Sequence, residues 1–241
     1  MPETRLLIVK TGSAEPEIRA RRGDFEDWIS DGMGVARAAV QVVDVREGGR
    51  LPDPDAVRGV VVTGSSAFVS ERESWSTAAE AWLRPVVAAG TPVLGICYGH
   101  QLLAQALGGC VGRNPLGREM GTVEVDLAAA IRAEDPLLGH LPQTAVVQAT
   151  HVESVLDLPD GAIRLGTNAA DENHAFRCGR RAWGVQFHPE FDADVMRSYV
   201  ELRADVLREE GLDPDRFARE TRDSSDGPAV LRRFGDIVRG S

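Results

Sequence analysis

The chain reads Gly95-Ile96-Cys97-Tyr98-Gly99-His100-Gln101 where an apolar run at residues 92–96 ends and a helical pattern at residues 101–107 follows. Glycines two positions before and two positions after a nucleophile are typical of a sharp strand-to-helix turn, which is known for serine in hydrolases. The turn strains the nucleophile's backbone, and residues without Cβ let the strand and the helix approach closely. It also places the Cys97 sulfur at a helix N-terminus, where the helix dipole favours a thiolate. The stretch therefore predicts an α/β fold with a reactive cysteine at the end of a central strand.

The rest of the chain alternates between short apolar runs and helical patterns, which is typical of parallel strands joined by helices. Strands are predicted at residues 6–9, 40–45, 59–63 and 92–96, and helices at residues 25–33, 74–89, 101–107, 195–210 and 230–238. Shorter strand-like runs at 122–125, 145–148, 163–165 and 182–187 predict a small antiparallel extension of the sheet. We expect one domain over residues 1–241, with a mostly parallel central sheet flanked by helices. Its core spans about 5–200, and a charged helical C-terminal extension spans about 201–241.

The composition argues against several classes of protein. The 241 residues include 27 basic and 37 acidic side chains, and the formal net charge of −10 disfavours nucleic-acid binding. No stretch approaches the roughly 18 apolar residues that cross a membrane, and the first apolar run is too short for a signal peptide. Cys97, Cys110 and Cys178 are widely spaced and match no disulfide or zinc pattern. We expect a reduced cytoplasmic protein without a membrane or nucleic-acid partner, and a solvated helical face at residues 216–233.

A thiolate that attacks an acyl group needs a proton shuttle, usually a histidine held by a carboxylate. His188 lies in the stretch Gly184-Val185-Gln186-Phe187-His188-Pro189-Glu190, at the end of a predicted central strand. Open α/β sheets gather their sites at strand ends. Pro189 bends the chain, so Glu190 can turn back towards the imidazole. The stretch predicts His188 as the base and Glu190 as the carboxylate that orients it.

An oxyanion formed during the attack needs amide donors fixed in place. The stretch Thr63-Gly64-Ser65-Ser66 follows a buried strand, so its amides can point over the carboxyl edge of the sheet. We expect the amide of Gly64 or Ser65 to act together with the amide of Tyr98, the residue after the nucleophile.

The remaining histidines have simpler interpretations. His100 is expected to cap or pack the helix after the turn, and His151 to be a polar residue at a strand end. His140 and His174 lie in turn-rich stretches and are expected to be solvated. No cluster has the spacing of metal ligands, so we expect neither a metal nor any other cofactor.

The two stretches around Cys97 and His188 resemble the signatures of the class I glutamine amidotransferase family, in the family's order. The resemblance runs from about residue 6 to 199 and is greatest to the glutaminase domain of GMP synthase and similar stand-alone proteins. It implies a flavodoxin-like sheet, a triad of Cys97, His188 and Glu190, and a γ-glutamyl thioester intermediate. It further implies that Gln101 helps hold the substrate.

Two other segments gain an interpretation from the resemblance. The stretch Thr150-His151-Val152-Glu153-Ser154-Val155 resembles the segment that contacts the substrate's α-amino and α-carboxylate groups, so Thr150, His151 and Val152 become expected binding residues. Gly117-Arg118-Glu119 resembles a further pocket loop. The chain departs from the family at Gly64-Ser65-Ser66, where Gly-Gly-Pro is more usual, and it contains no nucleotide-binding loop of the Walker type.

Two activities fit this pattern, and the sequence separates them poorly. The first is a glutaminase that hydrolyses glutamine and passes ammonia to a separate synthetase. The second is an autonomous γ-glutamyl hydrolase or peptidase that acts on γ-glutamyl amines or peptides, with water as the acceptor. A non-catalytic regulator with the same fold is a third, remote alternative, because a fold alone does not fix function.

Overall fold

A computed structural model of the protein describes residues 5–128 and 134–240. The strands in these residues are β1 (Arg5–Lys10), β2 (Val40–Asp44), β3 (Val57–Val62), β4 (Val93–Ile96), β5 (Cys110–Arg113), β6 (Glu119–Leu127), β7 (Thr144–His151), β8 (Glu153–Asp157), β9 (Ile163–Thr167), β10 (Ala175–Cys178) and β11 (Ala182–Val185). The α-helices are α1 (Pro16–Arg22), α2 (Phe25–Gly32), α3 (Ser74–Ala88), α4 (Tyr98–Ala106), α5 (Ala193–Leu202), α6 (Ala204–Glu209), α7 (Pro214–Glu220) and α8 (Asp226–Arg239). Within the described ranges, no helix is both long and apolar enough to span a bilayer.

Nine strands form one sheet in the order β2-β1-β3-β4-β11-β10-β9-β6-β7. The pairs from β2 to β11 are parallel, and every pair from β11 to β7 is antiparallel. Strands β5 and β8 form a separate antiparallel pair. This arrangement confirms the predicted α/β class with a parallel central sheet and an antiparallel extension.

The parallel strands are apolar on both faces because helices cover both faces of the sheet. On β1, Leu6 and Ile8 belong to a core that includes side chains of α2 and α8, whereas Leu7 and Val9 belong to a core that includes side chains of α3 and α4. Successive residues of a strand point to opposite faces, so this one segment anchors both layers. The carboxyl ends of β1, β3, β4 and β11 therefore meet at one edge, where loops can assemble a site.

Several predicted elements differ from the structure. Helix α4 begins at Tyr98, directly after Cys97, rather than at residue 101. Helix α1 and strands β5, β8 and β10 were not predicted, and the strands are only four or five residues long. The predicted helix at 195–210 is interrupted at Arg203, which separates α5 from α6.

The C-terminal residues also pack more deeply than predicted. Residues 216–233 are not a simple solvated face, because α8 is amphipathic. Its side chains Val230, Leu231 and Phe234 are buried in the core, and the Phe234 ring meets the Trp183 ring of β11 edge to face. The charged side of α8 faces solvent, and its apolar side closes one layer of the fold.

Candidate active site

Cys97 occupies a strained turn between β4 and α4. Its backbone has φ of 50° and ψ of −102°, in the region that non-glycine residues rarely adopt. The flanking glycines leave no room for a side chain. A Cβ on Gly95 would lie 2.3 Å from the Gly99 carbonyl oxygen, and a Cβ on Gly99 would lie 2.3 Å from the Val62 carbonyl oxygen. Close backbone contact is therefore the reason that both positions need glycine, as predicted.

His188 lies beside Cys97 just after β11. Its backbone amide donates to the Gln148 carbonyl at 2.8 Å, which joins the segment to β7. The ring places Nδ1 2.7 Å from Glu190 Oε1 and interacts electrostatically with the Cys97 thiol. Because a carboxylate only accepts, Nδ1 carries a proton and Nε2 faces the sulfur. The structure thus brings together the three residues of the predicted triad.

The charges at this contact favour an ion pair. Burial disfavours the charged form of His188, but the charges of Glu190 and Cys97 outweigh it and raise the pKa of His188 to about 10. Burial likewise opposes ionisation of Cys97, yet the adjacent His188 charge and hydrogen bond bring the pKa of the thiol below its usual range. Each group therefore favours the charged form of the other, the imidazolium of His188 and the thiolate of Cys97.

A stack of planar groups supports the imidazole. The Phe191 ring lies parallel to His188, with centroids 4.0 Å apart, and Tyr199 stacks on Phe191 at 5.1 Å. The Arg203 guanidinium lies over the Tyr199 ring, 4.9 Å from its centroid. Phe25 from α2 contacts both His188 and Phe191 from the side. The stack fixes the plane of the imidazole and connects it to the break between α5 and α6.

The loop after β3 approaches the ring from another side. A Cβ on Gly64 would lie 2.9 Å from His188 Cε1, so only glycine fits. The Thr63 hydroxyl donates to the Gly64 carbonyl oxygen at 3.1 Å, and the Thr11 hydroxyl lies 3.2 Å from the same oxygen. In a trans peptide the carbonyl and the following amide point in opposite directions. The Ser65 amide is therefore turned away from this threonine pair.

Predicted substrate residues surround the nucleophile. The Thr150 carbonyl oxygen is 3.8 Å from Cys97 Sγ. Gln101 donates its amide to the Glu153 carbonyl at 2.7 Å and to the Gln186 side chain at 3.0 Å. The Val152 carbonyl accepts from the Asn114 amide, so the backbone of this segment is held in place.

His151 is tied to two neighbours that the sequence analysis did not assign to it. Its Nδ1 lies 2.9 Å from the Glu153 carbonyl, and its Nε2 lies 2.9 Å from Glu119 Oε2. Both partners are acceptors, which favours the protonated ring, and the Glu119 carboxylate raises the pKa of His151 against the effect of burial. His174 Nε2 also binds Glu119 Oε2, at 2.8 Å, and His174 is fully buried. The expectation that His174 is solvated was therefore wrong.

Glu119, His151 and His174 together offer three ligand atoms within 4.8 Å of one another. Each of these atoms already takes part in a hydrogen bond within the cluster. The remaining Glu119 oxygen accepts from Asn168 at 2.6 Å. The three residues therefore form a hydrogen-bonded network, which joins Glu119 of the pocket loop to His151 in the wall of the site.

His100, His140 and Cys178 do not line the cavity at Cys97. His100 is fully buried against the Phe176 ring, and burial lowers its pKa to about 3, so the ring is neutral. His140 is exposed, as expected. Burial raises the pKa of the Cys178 thiol to about 11, which makes it a poor nucleophile.

A cavity of about 300 Å³ opens onto Cys97. Its walls include the predicted residues Gln101, Thr150, His151 and Val152 and the loop residue Ser65. They also include side chains that the sequence analysis missed: Glu15, Phe25, Phe191, Tyr199 and Arg203. Phe191 directly follows Glu190 and could have been found by extending that stretch. Arg203 carries no local signal because its surroundings resemble a continuous helix.

Comparison with known proteins agrees with this architecture. GMP synthase from Synechococcus sp. is 32% identical over 217 residues, which cover 87% of this chain and 36% of the synthase. A glutamine-hydrolysing GMP synthase subunit from Archaeoglobus fulgidus is 35% identical over 117 residues, which cover 46% of this chain and 61% of that protein. The chain thus spans less than two thirds of either relative. A solved glutamine amidotransferase structure from Thermotoga maritima has the same fold, with a TM-score of 0.76, 24% identity and 99% coverage of both chains.

The sequence also matches the class I glutamine amidotransferase family over residues 23–203. This range contains the turn at Cys97, the His188 segment and the pocket loops between them. Because the match covers most of the chain and both of its characteristic stretches, the chain belongs to the class I glutamine amidotransferase family, as its sequence predicted.

Proposed function

We propose that the protein hydrolyses the γ-amide of glutamine or of a related γ-glutamyl compound through a thioester on Cys97. The observation that carries this proposal is the His188 ring, which lies between Glu190 at 2.7 Å and the Cys97 thiol at the strained turn. An activated sulfur, a proton shuttle and an orienting carboxylate are the parts that acyl transfer requires. The glutamine-hydrolysing relatives support glutamine as a substrate.

In the first step the Cys97 thiolate attacks the γ-carbonyl carbon and forms a carbon–sulfur bond. The His188 imidazolium then protonates the leaving nitrogen, the carbon–nitrogen bond breaks, and ammonia or an amine departs. In the second step a water molecule attacks the thioester and gives a proton to His188. The carbon–sulfur bond breaks, which releases the glutamate product and restores the thiolate. Glu190 holds the imidazole and stabilises its charge in both steps.

Each attack places negative charge on the carbonyl oxygen, which the Ser65 and Tyr98 amides stabilise. Between the two candidates on the β3 loop, the geometry favours Ser65. Its peptide is oriented by the hydroxyl groups behind the Gly64 carbonyl, as described above. The Tyr98 amide is in the first turn of α4, where amides have no acceptor within the helix. Two fixed donors of this kind are worth several kcal/mol in the transition state, at about 3 kcal/mol each.

Glutamate release by the purified protein tests the proposal. Glutamine and a panel of γ-glutamyl amides and peptides serve as substrates, with Cys97→Ala as the blank and Cys110→Ala as the matched cysteine control, since Cys110 is exposed and outside the site. We expect turnover in the wild type and in Cys110→Ala, and a mass adduct of one γ-glutamyl group on Cys97 after rapid quenching. Equal rates for wild type and Cys97→Ala would refute the triad.

The acceptor separates the two activities that fit the site. A glutaminase that supplies a separate synthetase is supported by the GMP synthase relatives, one of which is named as a single subunit of that enzyme. This activity predicts slow turnover of glutamine alone. An autonomous γ-glutamyl hydrolase is favoured by the cavity, which extends past Cys97 to Tyr199 and Arg203. It predicts rapid turnover of a γ-glutamyl amine or peptide, with glutamine a poor substrate.

A further inference from the structure

Arg203 is a cation in the wall of the cavity that holds Cys97. It lies at the break between α5 and α6, and its side chain is 24% exposed. Burial lowers the pKa of its guanidinium, and the nearby Arg118 charge adds to this effect. The site therefore keeps a positive charge in partly desolvated surroundings, and the charges of Glu15 and Cys97 offset part of the free-energy cost.

The contacts of Arg203 position the guanidinium and compensate its charge only in part. Nη1 donates to Thr150 Oγ1 at 2.7 Å, and the guanidinium plane lies over Tyr199. Both of these partners are uncharged. Within the described part of the chain, its nearest carboxylate is Glu15, whose Oε1 is 3.8 Å from Nη2, beyond hydrogen-bond distance. Glu15 thus forms a long ion pair with Arg203 without accepting a hydrogen bond from it, which leaves the guanidinium with donor capacity.

Two other charged groups of the cavity wall, Arg118 and Glu153, are already engaged. Arg118 forms a two-point contact with Glu210, at 2.7 and 2.9 Å. The Glu153 carboxylate accepts from the hydroxyl and the amide of Ser70. Arg203 is thus the cation in this wall that is best placed to accept an anion from solution. Its planar fork of donors matches a carboxylate.

We propose that Arg203 binds a carboxylate group of the substrate. This inference rests on the proposed function and specifies its substrate class. Thr150 links Arg203 to the nucleophile, because its hydroxyl holds the guanidinium while its carbonyl oxygen contacts Cys97 Sγ. The carboxylate belongs either to the α-carbon of the γ-glutamyl group or to an amino acid on the leaving side. The chemistry is the same in both cases.

Binding to the inactive Cys97→Ala protein tests the inference without relying on turnover. The probes for calorimetry are γ-glutamylglycine, γ-glutamylmethylamide, glutamine and 4-aminobutanamide. The methylamide lacks the carboxylate on the leaving side, and 4-aminobutanamide is glutamine without its α-carboxylate. We expect Arg203→Met to weaken binding of γ-glutamylglycine about tenfold to hundredfold, as for a lost charged hydrogen bond. Arg203→Lys should restore part of the affinity.

The pattern across the probes identifies the source of the carboxylate. If Arg203→Met weakens only γ-glutamylglycine, the carboxylate is on the leaving side. If it weakens every probe except 4-aminobutanamide, the carboxylate is that of the γ-glutamyl group. Equal losses for all four probes would overturn the inference and leave Arg203 a structural support for Thr150 and Tyr199.

Two controls separate this inference from the proposed function. Arg208→Met lies on α6 and removes an exposed arginine that pairs with Asp205, so binding of all probes should change less than about twofold. Thermal unfolding of each variant shows whether the fold is retained. Arg203-dependent binding without turnover in the wild type would refute the proposed function alone, whereas turnover without Arg203-dependent binding would refute the inference alone.

Discussion

The His188 imidazole is the residue on which the chemistry of the site depends, because it contacts both Cys97 and Glu190. The Glu190 charge touches the imidazole directly and lies farther from the sulfur, so its main effect is to keep the ring protonated. A protonated ring in turn lowers the pKa of the Cys97 thiol. The Glu190 carboxylate thus influences the reactivity of the sulfur through His188, without contacting the sulfur itself.

Glu190→Gln should therefore reduce the reactivity of Cys97 with little effect on substrate binding. Without the carboxylate charge the pKa of His188 falls from about 10, and the thiolate loses its cationic neighbour at neutral pH. We expect kcat to fall at least about a hundredfold. The pH at which Cys97 reacts with iodoacetamide should move upward, and Glu201→Gln on the exposed side of α5 is the control. An unchanged alkylation profile would contradict the assigned role of Glu190.

Gly64→Ala should disable the site while the protein stays folded. The added methyl would lie 2.9 Å from His188 Cε1, so the ring or the loop must shift. Displacement of the catalytic base or of an oxyanion donor by about 1 Å costs on the order of a hundredfold in rate. The control is Gly240→Ala, where the methyl would approach nothing closer than the Asp236 carbonyl at 3.4 Å. Steady-state kinetics and circular dichroism of both variants provide the comparison. Full activity in Gly64→Ala would show that the loop accommodates the methyl group without displacing His188, which would contradict the prediction.

The parts of the site that the sequence predicts are those fixed by local geometry. Cys97 lies between glycines that the backbone requires, and His188 and Glu190 are two residues apart around a proline. Arg203 and Tyr199 line the same cavity because of tertiary packing, and no spacing in the sequence predicts that they lie near Cys97. The choice between Gly64 and Ser65 likewise depends on Thr11, a residue of another strand end.

At the scale of elements, a buried ion cluster joins the end of β1 to the start of α2. Lys10 Nζ lies 2.8 Å from both Asp24 Oδ2 and Glu26 Oε1. Asp24 also caps α2, since it accepts from the Phe25 amide at 2.9 Å. The cluster fixes the position of the loop that follows β1, which supports the Gly64 loop through Thr11.

Lys10→Met should destabilise the fold by about 3 kcal/mol, because it removes the cation shared by two largely buried carboxylates and leaves Asp24 only the more distant Arg19. The deficit should shrink as the pH falls below about 5, where the Asp24 carboxyl can be protonated in the variant once Lys10 no longer lowers its pKa. Urea unfolding at pH 7 and at pH 4.5 measures both effects. Arg208→Met, which removes an exposed pair, serves as the control. A deficit that stays constant with pH would show that packing of the lysine, and not its charge, is responsible.

The elements that the sequence predicts are the long ones with a clear period. Strand β1 and helix α3 agree with their predicted ranges to within a residue or two. Strand β10 has four residues and depends on its neighbours β9 and β11 for its hydrogen bonds. The break between α5 and α6 arises within a sequence of good helix formers, so packing and not propensity decides it.

For the whole molecule, the ion pair at the site affects how stability depends on pH. The raised pKa of His188 stabilises the fold fully below its unfolded value of 6.5, and this contribution is lost as the pH rises through about 10. The lowered pKa of Cys97 acts in the opposite sense, because its contribution is present above the unfolded value of 9.0 and lost as the pH falls through the folded value. Between these unfolded values the His188 contribution decreases as the pH rises, and the Cys97 contribution changes in the opposite direction.

Removal of the thiol should expose the contribution of His188 alone. We expect Cys97→Ala to lose stability relative to the wild type as the pH rises from 7 to 9, by up to about 1.4 kcal/mol per pH unit. Chemical unfolding of both proteins across this range gives the difference, in which the other titrating groups cancel. Parallel curves would mean that Cys97 remains a neutral thiol in the folded protein over this pH range.

The strained turn at Cys97 has a consequence for how this chain can evolve. A residue with φ of 50° and ψ of −102° costs about 1–3 kcal/mol unless it is glycine. In a mutant library selected only for folded protein, we therefore expect glycine at position 97 to outcompete alanine, the reverse of the usual order. Sequencing of the surviving variants tests this ranking. A descendant released from selection for catalysis would reach greater stability by discarding its nucleophile, so persistence of the cysteine in a lineage records continued use of the chemistry.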